Sequence, residues 1–187
     1  MKRLFAIMVV TLLFSVIFLA SVCVAAGPVS TPTKARWTGT LYDVGFCAGS
    51  TDSAPITYTV NIGRGASSVI GEATFLFAYC NNVNFLTGSA TGSGWGIITT
   101  ANGDTIHITI PEVTADLTKT PPEWSETEVI IGGTGKFENA IGSSISHGTW
   151  TSGTDTFPFG TSLSPPLVVM PPQGWVGTSE GEIEFTK

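Results

Sequence analysis

The chain is predicted to fold as an all-β protein, an antiparallel meander closed into a barrel. Three observations lead there. Apolar and polar residues alternate with period two over most of the chain after Lys34, the mark of strands with one buried and one wet face. Asn102-Gly103 lies between two such runs, and Asn-Gly accepts the positive φ that a type I′ hairpin turn needs at both central positions. Beyond residue 26 no segment carries the stripe of an amphipathic helix, so no helix is on hand to cover a sheet. Many short strands without helices favour a barrel or a sandwich. Glycines on one face of the last strand suit the tapered inside of a barrel.

The elements follow in order. Met1-Lys2-Arg3 is basic, Leu4 to Ala20 is apolar apart from Thr11 and Ser15, and Val24-Ala25-Ala26 offers small residues for cleavage. Residues 1–26 therefore read as a signal peptide and residues 27–187 as a single β-barrel domain, secreted or periplasmic. An uncleaved anchor is the competing reading, since Leu4 to Ala26 is long enough to span a bilayer. Val22 before Cys23 argues against a lipoprotein. No later apolar run approaches the length of a spanning helix, so the mature chain is expected to have no membrane span.

Strands are expected at about 36–43, 56–62, 72–80, 84–92, 94–101, 105–110, 127–132, 142–152 and 176–185. In "ITYTVNI" Ile56, Tyr58, Val60 and Ile62 share one face and Thr57, Thr59 and Asn61 the other. In "TIHITI" Ile106, Ile108 and Ile110 oppose Thr105, His107 and Thr109. In the last strand Gly177, Ser179, Gly181, Ile183 and Phe185 oppose Val176, Thr178, Glu180, Glu182 and Glu184. "TGSATGSGWG", Thr87 to Gly96, should join two neighbouring strands, its glycines allowing tight bends.

Two irregular stretches interrupt the meander, Pro111 to Glu126 and Gly153 to Gly174. Loops of that length are usually functional or disordered. The second holds Leu167-Val168-Val169-Met170, too apolar for a solvated linker, and is expected to pack on the barrel, across its mouth or on a partner.

Charge excludes several function classes. Charged residues are 12% of the chain, and 14 acidic residues outnumber 8 basic ones. There is no basic stripe, so no nucleic-acid partner is expected. The two cysteines after the leader, Cys47 and Cys80, are expected to form a disulfide in an oxidising compartment, with two separate thiols as the other reading. Two scattered histidines and no paired spacing give no metal site, and no cofactor is expected.

"GGTGKFENAIG", Gly132 to Gly142, invites a phosphate-loop reading. A P-loop needs Gly, four residues, then Gly-Lys-Ser/Thr. Here Phe137 follows Lys136, and Ile131 stands where the first glycine belongs. Neither the dinucleotide spacing nor a following helix is present. The stretch reads instead as a structural turn, in which Gly132, Gly133 and Gly135 let the backbone fold tightly, Phe137 and Ala140 plug one barrel end, and Gly142 opens the next strand.

The same eleven residues resemble the turn "GGTG-R/K-F-x-x-A-x-G" of dirigent proteins and of the barrel family that includes allene oxide cyclases. The wider segments "GSGWGIITTANGDTIHI" and "EVIIGGTGKFENAIG" are similar to small secreted bacterial proteins with this barrel. The resemblance runs from about Gly71 to Ser152 and is specific mainly at the turn. It implies an eight-stranded antiparallel barrel, often dimeric or trimeric. In that family, polar groups deep in an apolar barrel handle reactive small molecules, and no such group falls on a matching position here.

Candidates from residue chemistry are Asp43, Glu72, Asp104, His107, Glu128 and His147. His107 shares a face with Thr105 and Thr109 and is expected on the surface. His147 shares a face with Ile145, and Glu128 with Ile130, so these two are the candidates for acid–base work from inside. Trp37, Phe75, Phe77, Tyr79 and Trp95 would line a ligand cavity or simply fill the core. No G-x-S-x-G elbow supports a hydrolase. Three functions follow. One is a secreted non-catalytic barrel that binds a small apolar ligand or a protein partner. Another is a surface or matrix protein that assembles through its long loops. The third is a cyclase- or isomerase-like barrel enzyme.

Overall fold

A computed structural model describes residues 29–51, 56–84, 86–152 and 172–185. The predicted leader and residues 153–171 of the long apolar loop lie outside them. Eight antiparallel strands form a closed barrel in chain order: β1 (Val29–Phe46), β2 (Ile56–Ser67), β3 (Gly71–Asn84), β4 (Ser89–Thr100), β5 (Thr105–Asp116), β6 (Glu123–Gly133), β7 (Ala140–Ser152) and β8 (Gln173–Phe185). The barrel closes where β1 pairs with β8 from Val29↔Phe185 to Leu41↔Gln173. Closure leaves no unpaired sheet edge. No helix among the described residues is long and apolar enough to cross a membrane.

Two expected strands, 84–92 and 94–101, are one. β4 pairs with β3 from Asn84↔Ser89 to Ala73↔Thr100, and Gly88, just before β4, has φ +65°. The irregular stretch from Pro111 is also mostly strand. β5 runs on to Asp116, and its register with β6 shifts between Thr109 and Glu112. Proline has no N–H for the ladder, and the bulge is where a strand can hold one. Because the bulge adds a residue, Ile106, Ile108 and Ile110 point inward before it, and Val113 and Ala115 after it.

The Asn-Gly hairpin is real but is not type I′. Asn102 does not have positive φ; Gly103 does, at +90°. Gly103 N–H donates to Thr100 O at 2.9 Å, and Thr100 N–H to Asp104 O at 2.9 Å. The loop is therefore Ala101-Asn102-Gly103, a type I turn followed by a left-handed glycine.

Inside, β3 supplies a column of rings, Phe75, Phe77 and Tyr79, each 4–5% exposed. Phe75 stacks with Phe77 at 5.0 Å and with Trp175 at 5.5 Å, and Trp37 meets it edge-on at 5.7 Å. Neighbouring strands make room with glycine. A Cβ at Gly63 would lie 2.4 Å from Phe75 Cζ, and one at Gly96 would lie 2.0 Å from Phe77 Cδ1. Rings bring large apolar area into a narrow barrel, and the glycines opposite give that area its space.

The two ends differ. At one end "GGTGKFENAIG" leaves β6, makes a single 3-10 turn at Gly135–Phe137 and enters β7. Phe137 is fully buried and Ala140 is 1% exposed, and Phe137 packs on Phe185 at 5.9 Å. Gly135 has φ +58°, and its Cβ would strike Asp104 Oδ1 at 2.0 Å. Thr134 N–H donates to Thr105 O at 2.9 Å, tying the turn to the β4–β5 hairpin. At the other end, Cys47 and Cys80 form a disulfide with Cα atoms 5.9 Å apart. It fastens the segment after β1 to β3 across the start of β2.

Candidate functional site

The end opposite Phe137 opens into a cavity of about 360 Å³. Its wall comes from the mouth half of the barrel. β1 gives Leu41 and Asp43, β2 gives Thr57, Thr59 and Asn61, and β3 gives Tyr79, Asn81 and Val83. Val113 and Ala115 follow the β5 bulge. Trp124 and Glu126 come from β6, Trp150 from β7 and Trp175 from β8.

β2 faces the opposite way from what hydrophobic alternation implies. Thr59 is 2% exposed and Asn61 7%, while Ile56, Tyr58, Val60 and Ile62 stand on the outer face, half-buried. Each inward polar group is partnered. Trp175 Nε1–H donates to Asn61 Oδ1 at 2.6 Å, and Asn81 Nδ2–H donates to Thr59 Oγ1 at 2.8 Å. A buried polar face is tolerated only when it is hydrogen-bonded, as here. One donor is not: Trp124 Nε1–H is buried without a partner among the described residues.

An acidic pair begins in the cavity wall and runs inward from it. Glu126 and Glu128 alternate inward on β6, each 6% exposed. Tyr79 O–H donates to Glu126 Oε2 at 2.9 Å. Ser146 Oγ–H donates to Glu128 Oε1 at 2.7 Å, and Ser144 Oγ–H donates to Glu128 Oε2. Burial pushes the Glu126 carboxyl well above the usual carboxylate range, and the neighbouring charge of Glu128 and a hydrogen bond to it add to the rise, against a smaller lowering by Tyr79. Burial also raises the Tyr79 phenol, with the nearby carboxylates adding to it, so Tyr79 keeps its proton and acts as a donor. Every described Lys and Arg is exposed, so none of them reaches this pair.

The residues singled out from sequence are dispersed. Glu128 lies inside. His147 does not join it: β7 presents Ser144, Ser146 and Gly148 inward, while Ile145 is 59% exposed and His147 faces out with it, 3.2 Å from Thr178 Oγ1. His147 and Glu128 therefore lie on opposite faces of the sheet. The apolar neighbour misled, because exposed isoleucines are common and the serines are needed inside as partners for Glu128. Trp37, Phe75 and Phe77 pack in the core, and Tyr79 reaches the cavity wall. Trp95 is 48% exposed on the outer face and lines nothing inside. His107 sits outside, half-buried, 3.2 Å from Thr105 Oγ1. Glu72 is exposed, Asp104 serves the turn, where Asn102 Nδ2–H donates to it at 2.9 Å, and Asp43 lines the mouth.

Glu126, Trp124, Trp150 and Asn61 were missed. Counting back in twos from Ile130 gives Glu128, Glu126 and Trp124, so the signal existed once β6 is allowed to start inside the Pro-rich stretch. Among the described residues no group of three His, Cys, Asp or Glu side chains is placed to hold a metal ion. Comparison of the sequence with protein-family models and with curated proteins found no match.

Proposed function

We propose that the protein is an exported, non-catalytic barrel that holds a small, largely apolar ligand in its mouth. The observation that carries this reading is the cavity. About 360 Å³ is within the range of small-molecule sites, and an apolar wall with a few fixed polar groups is their usual make-up. Trp124, Trp150 and Trp175 give apolar area, Asn61 and Thr59 are locked by their own hydrogen bonds, and the unpartnered Trp124 N–H offers a guest one donor. Export rests on the apolar, small-residue-terminated leader of residues 1–26 and on the Cys47–Cys80 disulfide, which persists in oxidising compartments. Residues 27–187 then form the mature single domain. Membership of the allene oxide cyclase and dirigent barrel family belongs to the same proposal, supported by the "GGTGKFENAIG" turn and the eight-stranded meander.

A second reading, a cyclase- or isomerase-like catalyst, is favoured by one observation: a buried carboxyl, Glu126, which burial raises well above the usual carboxylate range, hydrogen-bonded to a phenol at the edge of an apolar cavity.

Three indoles in the wall supply the test. Titration with small apolar probes, read by tryptophan fluorescence and by native mass spectrometry, should show saturable one-to-one binding. Absence of any saturable change across probes that fit the cavity would remove the ligand-binding reading. Turnover of a bound probe, lost in Glu126→Gln, would favour the catalyst.

A further inference from the structure

Resting on the cavity reading above, we propose that the guest is an organic cation, a protonated or quaternary amine on an apolar body, held by the tryptophans of the mouth over the Glu126–Glu128 pair.

Charge is the first ground. Asp43 and Glu126 line the cavity, Glu128 follows Glu126 inward on β6, and no Lys, Arg or His among the described residues lines it. Two carboxyl groups, each 6% exposed, share a buried site that no Lys or Arg among the described residues reaches. Burying an uncompensated charge is costly, and an ammonium entering the mouth supplies the missing partner. A carboxylate guest would meet like charge instead.

The wall is the second ground, independent of the first. Trp124 and Trp175 meet edge to face at 5.2 Å, and Trp150 and Tyr79 line the same cavity as Glu126. Aromatic faces attract cations by their quadrupole, most strongly where water is excluded. The same rings accept the apolar body of the guest, so one wall serves both parts of the molecule.

The arrangement makes binding proton-linked. The titratable groups facing Glu126 are Tyr79 from β3 and Glu128 on its own strand, with Asp43 from β1 on the same cavity; β5 presents Val113 and Ala115 and β7 presents Ser146 and Trp150, none of which ionises in the working range. Burial raises the Glu126 carboxyl and so favours its protonated form in the free barrel. An ammonium favours the carboxylate, so binding releases that proton to the buffer.

The experiment uses three bodies, butyl, cyclohexyl and 2-phenylethyl, each as ammonium, alcohol and carboxylate, titrated into the full mature protein. Ammonium should bind about tenfold or more tighter than the alcohol of the same shape, and carboxylate weakest. Calorimetry in two buffers of different ionisation enthalpy should show proton release with ammonium and none with alcohol. Glu126→Gln should bring the ammonium and alcohol affinities of each body together and abolish the proton release seen with ammonium. Alcohols binding as tightly as ammoniums would overturn the cation while leaving the cavity reading intact. Failure of all nine probes would overturn both. The wild-type charge series decides even if Glu126→Gln folds poorly.

Discussion

Gly96 and Phe77 show how single positions govern the inside of this barrel. They face each other across the β3–β4 ladder, and a methyl group at Gly96 would stand 2.0 Å from the ring. Both are enclosed by strands that cannot spread without opening the ladder. Gly96→Ala is expected to cost about 1–3 kcal/mol, the usual toll of overpacking. Phe77→Leu in the same chain should recover part of that loss, because the two changes share one space. Thermal melting of the two single variants and the double variant checks the sign of the coupling. Glu126 acts through its proton rather than its volume. Its folded-state carboxyl is raised above the ordinary value of 4.5, so between that value and its folded value the unfolded chain is ionised and the folded one is not. The unfolded state then binds fewer protons, and stability falls as pH rises, by up to about 1.4 kcal/mol per pH unit from this group. Below the ordinary value both states are protonated and the contribution is fully present. Glu126→Gln should flatten that part of the pH–stability curve; a slope identical to wild type would mean that Glu126 ionises normally inside the barrel.

At the scale of elements, the turn at Gly132–Gly142 closes one end and has no part in the other. Gly135 needs φ +58°, and any side chain there meets Asp104. Gly135→Val is expected to destabilise by about 1–3 kcal/mol while the folded fraction binds cavity probes as wild type does. Unchanged melting with lost phosphate or nucleotide binding would make the turn a ligand loop instead. How much of the elements was legible follows from the same physics. Period two located seven of the eight strands and split the remaining sheet material one strand too far at 84–101, because Gly92 and Gly94 look like a turn when they sit at a β-bulge. Pro111 hid the second half of β5 for the same reason, since a bulge is where a proline fits a strand. Facing was harder than location. Alternation says that two faces differ but not which is inside, and in β2 and β7 the polar face is the inner one. Only partners in space, Trp175 for Asn61 and Ser144 and Ser146 for Glu128, make that choice favourable. Those partners lie on other strands, and no local pattern names them.

The whole molecule is uneven along its axis. Phe137, Ile183, Ala140 and Ile130 fill one end, with at most 8% exposure, whereas the other end keeps a cavity with the Glu126 carboxyl in its wall and Glu128 further in on β6. A barrel selected for stability alone would fill that space, since each buried methylene adds about 0.8 kcal/mol. Space kept open and lined with tryptophan is the expected compromise of a binding site against stability. Ala115 tests that compromise. It faces the cavity from β5 beyond the bulge, directly across the ladder from Trp124. Ala115→Leu puts three more carbons into the empty mouth. If the space is open, the variant should be as stable as wild type or more stable by about 1–2 kcal/mol, and binding of every probe should weaken together. Melting and fluorescence titration on the same samples read both quantities. A fall in melting temperature like that of Gly96→Ala would mean that the mouth is packed as tightly as the closed end, and the cavity, the ligand and its charge would all fall with it.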